Sequence, residues 1–174
     1  MSYVLRHNPD ALGLSLEPGG WIDVEALVDA AQREGRSLSR SRIEEAMQAS
    51  DKDRFSFSED GTKIRANYGH SIDVDLDVQP TAPPEHLFHG TARQALSAIR
   101  EEGLRPQSRQ YVHLSENRSD AREVGQRHGT PVVLRIRAAA LHEAGQAFYR
   151  AARGVWLTAH VPPAFIDGPD TPEE

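Results

Sequence analysis

The sequence predicts an α+β protein made of two lobes, and three patterns in its 174 residues support this prediction. A segment at 78–84 has three prolines within five residues, which neither a helix nor a central strand accommodates. Helical periodicity followed by one hairpin precedes this segment, and short strands dominate after it. We therefore predict a first lobe at 1–77, a linker at 78–85 and a second lobe at 86–166. The remaining residues, 167–174, are rich in proline and acidic side chains, which is typical of a disordered tail.

The first lobe shows signals for three helices. Pro9 stops the first helix, and Asp23 is placed to cap the second, whose periodicity ends at Gly35. Ser41 and Glu44 fit a capping box for the third. The predicted helices cover residues 2–8, 24–34 and 43–49.

A hairpin follows these helices. Residues 54–58 alternate between polar and apolar side chains, Asp60 and Gly61 form a turn signal, and residues 63–66 return. Helices closed by a hairpin are the pattern of a winged-helix lobe, which is what we predict for 1–77.

The second lobe mixes short strands with short helices. It contains neither a G-x-G-x-x-G motif nor a G-x-x-x-x-G-K-[ST] motif, so a Rossmann site and a P-loop are both unsupported. We predict strands at 87–89, 111–115, 132–136, 148–150 and 155–157, and helices at 92–102 and 119–127.

Composition excludes several classes of protein. Cysteine is absent, which excludes disulfides and thiolate metal sites. No apolar run approaches the roughly 18 residues of a membrane span, so we expect no membrane association and a cytoplasmic location. The net charge of -6 argues against a nonspecific coat on nucleic acid. The eight histidines are scattered without ligand spacing, and we predict no metal site.

Of the 20 basic residues, only Lys52 and Lys63 are lysines. This bias has two explanations that composition does not separate. One is a genome rich in G and C. The other is that several arginines grip phosphate through two parallel hydrogen bonds, which lysine cannot form.

In the first lobe, Arg6 and His7 place a cation beside a titratable ring at a helix end, and Arg65 shares a strand face with other polar residues ahead of His70 and Ser71. These residues can bind phosphate and move a proton. The alternatives are an exposed amphipathic helix end for the first pair and the polar outer face of a wing for the second group.

In the second lobe, His89, Gly90 and Thr91 follow a predicted strand and precede a predicted helix. Glycine allows a ligand to approach the backbone, and free amides at a helix start suit a phosphate. His113 and Ser115 repeat the pattern on another strand, with both side chains on one face. The alternative for each pair is ordinary strand-end polarity.

Arg127 stands at the end of a predicted helix, immediately before a strand. One interpretation is an anion-binding arginine. The other is a cation that the negative end of the helix dipole favours.

Together these motifs resemble the RNA 2′-phosphotransferase family (KptA type, the tRNA-splicing 2′-phosphotransferases). The resemblance runs from about residue 2 to residue 166, and the order and spacing of the motifs carry it. In chain order the motifs are Leu5-Arg6-His7-x-Pro9, Gly20-Trp21, Ile64-Arg65-Ala66-x-x-Gly69-His70-Ser71, Phe88-His89-Gly90-Thr91, Val112-His113-Leu114-Ser115, Gly125-x-Arg127-x-Gly129 and Gly154-Val155-Trp156-Leu157-Thr158.

The resemblance implies a winged-helix lobe that binds RNA and an ADP-ribosyltransferase-like mixed β lobe that binds NAD as a co-substrate. It further implies a monomer that transfers an internal 2′-phosphate of RNA to ADP-ribose during RNA processing such as tRNA splicing. The catalytic residues that it implies are Arg6, His7, Arg65 and Arg127. The residues that it implies for NAD binding are His89, Gly90, Thr91, His113 and Ser115.

The sequence departs from the family at Tyr68, where relatives usually have Gln.

Two other functions stay open. One is an ADP-ribosyltransferase that modifies phosphorylated nucleic-acid ends or protein and stops after the first step. The other is a winged-helix binding module without catalytic activity, which would not bind NAD.

Overall fold

The computed structural model describes residues 1–49 and 53–169. The chain divides into two compact units, Met1–Asp77 and Val78–Glu174. Each unit combines helices with one antiparallel sheet, which confirms the α+β prediction. Within the described residues, no helix is both long enough and apolar enough to span a membrane.

Over residues 1–49 and 53–77, the first unit has three α-helices and a three-stranded sheet in the order β1-β3-β2. Strand β3 is central and pairs Ile64 with Ile22 on one side and with Phe57 on the other. The elements are α1 (Ser2–Arg6), β1 (Trp21–Asp23), α2 (Val24–Arg33), α3 (Arg40–Gln48), β2 (Phe55–Phe57) and β3 (Lys63–Ala66).

Side-chain caps decide where two of these helices begin. The carboxylate of Asp23 accepts a hydrogen bond from the amide of Ala26 (2.9 Å), as the sequence predicts. The predicted capping box at Ser41 is wrong, because Ser39, in extended conformation, accepts from the amide of Arg42 (3.3 Å) and starts α3 three residues earlier than expected.

Two arginines of this unit each follow a residue of the hydrophobic core. Leu5 of α1 and Ile64 of β3 are fully buried. Their chain neighbours Arg6 and Arg65 are half-buried, since helix and strand geometry turn adjacent side chains in different directions.

The second unit is built on a six-stranded antiparallel sheet in the order β7-β8-β5-β4-β6-β9. Its core includes Leu87, Leu114, Ile136 and Phe148, each at most 1% exposed. The elements are β4 (His86–Ala92), α4 (Leu96–Glu102), β5 (Val112–Ser115), α5 (Arg118–Gln126), β6 (Pro131–Arg137), α6 (Ala138–Glu143), β7 (Phe148–Arg150), β8 (Val155–Thr158) and β9 (Ile166–Pro169).

Strand β4 is longer than predicted. The sequence suggests a strand that ends at Gly90 and a helix from Ala92, but β4 pairs with β6 as far as Ala92. A 3-10 turn, Arg93–Ala95, then leads into α4. Thr91 therefore lies inside a sheet and not at a helix start, so the argument from free helix amides does not apply to it.

The chain beyond residue 166 also differs from the prediction. Asp167 lies in β9, which pairs with β6, and its carboxylate accepts from Nε of Arg135 (3.0 Å). Residues 170–174 lie outside the described residues. At the predicted linker, Pro80 forms a bridge with Tyr149, and the amide of Thr81 donates to the carbonyl of Phe148 (2.8 Å).

Candidate functional site

Arg6 is the last residue of α1, and its guanidinium lies between two aromatic rings. Its Cζ atom is 5.4 Å from the ring centroid of Phe55 and 5.3 Å from that of Tyr68. The backbone of Gly69 closes a third side, because a Cβ at this position would lie 3.6 Å from the same Cζ atom. The guanidinium is therefore confined by parts of β2 and of the segment after β3.

His7 follows Arg6 and contacts the same segment. Its Nδ1 atom lies 2.8 Å from Oγ of Ser71. The amide of Ser71 in turn donates to the carbonyl of Arg6 (3.0 Å). These two hydrogen bonds fix the end of α1 against the chain that leaves β3.

Arg65 lies on β3 and stacks on Trp21. Its Cζ atom is 4.5 Å from the ring centroid, and Nη1 donates to the carbonyl of Gly19 (3.4 Å). Gly19 has a φ of +81°, and a Cβ there would collide with the indole at 2.8 Å. A glycine is thus required where the chain turns around the ring that supports Arg65.

His70 is the most buried polar residue near these groups, with 2% of its surface exposed. Burial and then the positive charges of Arg6, His7 and Arg65 lower the pKa of His70 to about 4. Its imidazole is therefore neutral at neutral pH. Neither ring nitrogen has a hydrogen-bond partner among the described residues.

The polar residues of this site, two arginines, two histidines and one serine, form what we call the arginine–histidine cluster. Two fixed guanidiniums and two imidazoles in a half-buried setting favour an anion with several oxygens. A planar guanidinium can donate two parallel hydrogen bonds to two oxygens of such an anion. The cluster consists of Arg6, His7, Arg65, His70 and Ser71.

The second unit places His89 on β4 and His113 on the neighbouring strand β5. Nδ1 of His89 donates to the carbonyl of His113 (3.0 Å), and Nδ1 of His113 donates to the carbonyl of Tyr111 (2.9 Å). A carbonyl only accepts, so each Nδ1 carries a proton, and Nε2 is the acceptor whenever the ring is neutral.

The surroundings of His89 favour its neutral form. Burial lowers the pKa of His89, and interactions with Arg109 and His128 act in the same direction, while the bond to the His113 carbonyl opposes them. Arg109 and His128 thus lie near a ring that the sequence singles out, although sequence reasoning did not include them. Arg109 lies in none of the sequence motifs. His128 lies within the Gly125–Gly129 motif, but at a position where the motif specifies no residue.

Gly90 has a packing role that the sequence analysis missed. A Cβ at Gly90 would lie 1.6 Å from the carbonyl oxygen of Ala121 in α5. A Cβ at Gly125, on α5, would lie 2.7 Å from the carbonyl oxygen of Thr91. The close approach that Gly90 permits in this structure is that of a helix. Ser115 lies at the end of β5, opposite Val155 of β8.

Of the four catalytic residues that the resemblance implies, the structure brings Arg6, His7 and Arg65 together. Arg127 lies in the second unit, exposed, directly after α5, and its amide donates to the carbonyl of Val124 (3.2 Å). In the described part of the chain, no group of three or more His, Asp or Glu side chains is arranged to hold a metal ion.

The chain matches a known protein family along most of its length. The family model described as "RNA 2′-phosphotransferase, Tpt1 / KptA family" matches residues 1–160. The chain belongs to the RNA 2′-phosphotransferase family. This membership confirms the family that the motifs indicate.

Curated relatives in this family cover nearly the whole chain. A protein from Pectobacterium carotovorum is 51% identical over 96% of this chain and 90% of its own length. One from Nostoc punctiforme is 47% identical over 95% of this chain and 92% of its own length. One from Streptomyces griseus is 46% identical over the same shares, 95% and 92%. Each is named "Probable RNA 2′-phosphotransferase".

Proposed function

We propose that this chain is an NAD-dependent RNA 2′-phosphotransferase. It transfers an internal RNA 2′-phosphate to ADP-ribose and yields RNA with a 2′-hydroxyl, ADP-ribose 1″,2″-cyclic phosphate and nicotinamide. The observation that carries the proposal is the arginine–histidine cluster, in a chain whose family is named for this substrate class.

The cluster suits the phosphate chemistry. Transfer of the phosphoryl group places a fifth oxygen on phosphorus and leaves negative charge on the departing RNA 2′-oxygen. Guanidiniums that are already fixed stabilise such charge without reorganising as it develops. Arg6 and Arg65 are fixed in this way by aromatic rings. His7, oriented by Ser71, binds a phosphate oxygen or handles a proton.

Two histidines of the second unit fit a ligand rich in hydroxyl and amide groups, which describes NAD. With Nδ1 of His89 and His113 held by backbone carbonyls, their Nε2 atoms accept hydrogen bonds. The guanidinium of Arg109, which acts on His89, suits a pyrophosphate. When bound, NAD supplies the electrophilic ribose carbon and a nicotinamide leaving group. Gly90, Thr91 and Ser115 are assigned to NAD binding by their motifs.

We assign the first unit to a winged-helix lobe that binds RNA, and the second to an ADP-ribosyltransferase-like lobe. Three helices with the β2–β3 hairpin support the first assignment. A six-stranded antiparallel sheet with helices supports the second. Arg127 joins the catalytic set on the strength of the motif that it matches.

The test is to incubate the protein with an oligonucleotide that carries one internal 2′-phosphate, with and without NAD, and to analyse RNA and nucleotide products by mass. We expect loss of the phosphate from RNA and formation of the cyclic phosphate only when NAD is present. An oligonucleotide with a 2′-hydroxyl at the same position, and the Arg65→Ala variant, are the controls. An ADP-ribosyltransferase would instead leave ADP-ribose attached to its acceptor, and a binding module would leave NAD intact.

A further inference from the structure

The guanidinium of Arg6 is enclosed by side chains that the sequence motifs do not assign to the reaction. Phe55 comes from β2, and Tyr68 comes from the segment after β3. Their ring centroids lie at almost equal distances from Cζ, 5.4 and 5.3 Å. Gly69 has a φ of +88°, and a Cβ built on it would lie 3.6–3.7 Å from Cζ, Cδ and Nε of Arg6, so the guanidinium lies next to this glycine.

This enclosure restricts rotation of the guanidinium. A cation within about 6 Å of a ring centroid is attracted to the ring face, and two such rings favour one orientation over the others. The Nε and Nη2 atoms are buried within the enclosure. A ring contact leaves the positive charge intact, so an arginine held in this way keeps its attraction for an anion.

We propose that Tyr68 and Phe55 are positioning residues that hold the plane of the Arg6 guanidinium in the orientation needed by the 2′-phosphate of RNA. The inference rests on the proposed function, since it assigns the phosphate as the group that Arg6 receives. Tyr68 and Phe55 act through Arg6, and neither needs to touch the reacting atoms.

The same strand offers a matched control. Phe57 lies two residues from Phe55 on β2, on the same face, and both rings pack against the core of the first unit. The ring of Phe57 also faces an arginine, since Cζ of Arg40 lies 5.5 Å from its centroid. Arg40, however, lies on α3 and pairs with Glu44 at 3.0 Å. Loss of the Phe57 ring therefore perturbs the core in a comparable way without touching Arg6.

The experiment compares kcat and KM for Tyr68→Leu, Tyr68→Phe, Phe55→Leu and Phe57→Leu in the full chain. We expect kcat to fall about 10- to 100-fold in Tyr68→Leu and in Phe55→Leu, because small misplacements of a catalytic group cost about this much. The KM for NAD should be unchanged, and Tyr68→Phe and Phe57→Leu should stay within about threefold of wild type. Thermal unfolding shows whether each variant folds. If Phe55→Leu does not fold, the difference in kcat between Tyr68→Leu and Tyr68→Phe tests the proposal.

A second readout does not depend on activity. The Nε–H signal of Arg6 in a ¹⁵N NMR spectrum, assigned by its loss in Arg6→Lys, reports ring proximity and exchange with solvent. We expect it to move and to exchange faster in Tyr68→Leu, but to stay in place in Phe57→Leu. If wild-type protein does not release the 2′-phosphate, the proposed function fails, while this signal still tests the enclosure.

Three results would overturn the inference. The first is a wild-type kcat in Tyr68→Leu. The second is an equal fall of kcat in Phe57→Leu. The third is an Arg6 signal that does not respond when the Tyr68 ring is removed.

Discussion

Nδ1 of His7 and Oγ of Ser71 lie 2.8 Å apart, although 64 positions separate the two residues in the chain. One belongs to the end of α1 and the other to the segment after β3. The hydrogen bond orients the His7 ring, because an imidazole that is bonded at one nitrogen has a defined plane and a defined second nitrogen.

The contribution of this hydrogen bond to the reaction can be tested by replacing Ser71. In Ser71→Ala the ring of His7 loses its orientation, and since a hydrogen bond contributes about 1 kcal/mol net, we expect kcat to fall about two- to tenfold. Ser71→Thr keeps the hydroxyl and should retain more activity. Full activity of Ser71→Ala in a phosphate-release assay would show that the bond does not matter for the reaction.

Arg65 should not be replaceable by lysine. Arg65→Lys keeps the charge but loses both the planar contact with Trp21 and the second donor, so kcat should fall by about 10²-fold. Arg40→Lys is the matched control, because Arg40 also stacks on a ring of the first unit but lies outside the cluster. Equal activities of the two variants would contradict the assignment.

His70 should make the protein less stable in acid. The pKa of its ring is about 4 in the folded state against 6.5 ordinarily, so the unfolded chain binds the proton more readily. The contribution of a neutral His70 is complete above pH 6.5 and is lost as the pH falls to 4, with a slope of up to about 1.4 kcal/mol per pH unit.

The free energy of unfolding, measured by denaturant titration between pH 4 and 7, tests this expectation. His70→Leu should have a shallower pH dependence than wild type across this window, because the leucine does not titrate. Parallel curves for the two proteins would mean that the pKa of His70 is the same in the folded protein as in the unfolded chain.

His89 and His113 should contribute to NAD affinity. Each ring presents Nε2 as an acceptor, and loss of either acceptor leaves a ligand donor unpaired, which we expect to weaken binding about tenfold or more. Calorimetry on the full chain measures the change. His160→Ala is the control, since its ring also bonds a backbone carbonyl, that of Glu102, but lies outside β4 and β5. Unchanged affinity in both His89→Ala and His113→Ala would contradict the assignment.

Arg6 and Arg127 should matter more for the second step than for the first. In the first step the attacking 2′-phosphate loses charge and nicotinamide leaves neutral, whereas in the second step negative charge develops at phosphorus. We therefore expect Arg6→Ala and Arg127→Ala to accumulate RNA that has gained the mass of ADP-ribose when NAD is present. Slow nicotinamide release without such RNA would place both arginines in the first step or in RNA binding.

Local signals predicted the elements that local interactions determine. The cap at Asp23, the end of α1 ahead of Pro9 and the alternation in β3 depend on neighbours within a few residues. Strands β1 and β9 were missed: neither gave a strand signal of its own, and their partners, β3 and β6 respectively, are distant in the chain. Helix α6 has few periodic residues and gave no signal.

The candidate site divides in the same way. Motifs identified Arg6, His7 and Arg65, and the structure brings these residues together. The burial of His70 could not be predicted, since its ring lies beside Gly20, which is distant in the chain: a Cβ at Gly20 would lie 3.7 Å from Nε2 of His70. The packing role of Gly90 was not predicted, because a glycine in a strand leaves open what approaches it, and here α5 does.

The contact between β4 and α5 runs from backbone to backbone, through Gly90 on one side and Gly125 on the other. Arg127 follows α5 directly, and His89 precedes Gly90 on β4. A side chain at either glycine would therefore push α5 away from β4 and, with it, the chain that carries Arg127 away from the strand that carries His89.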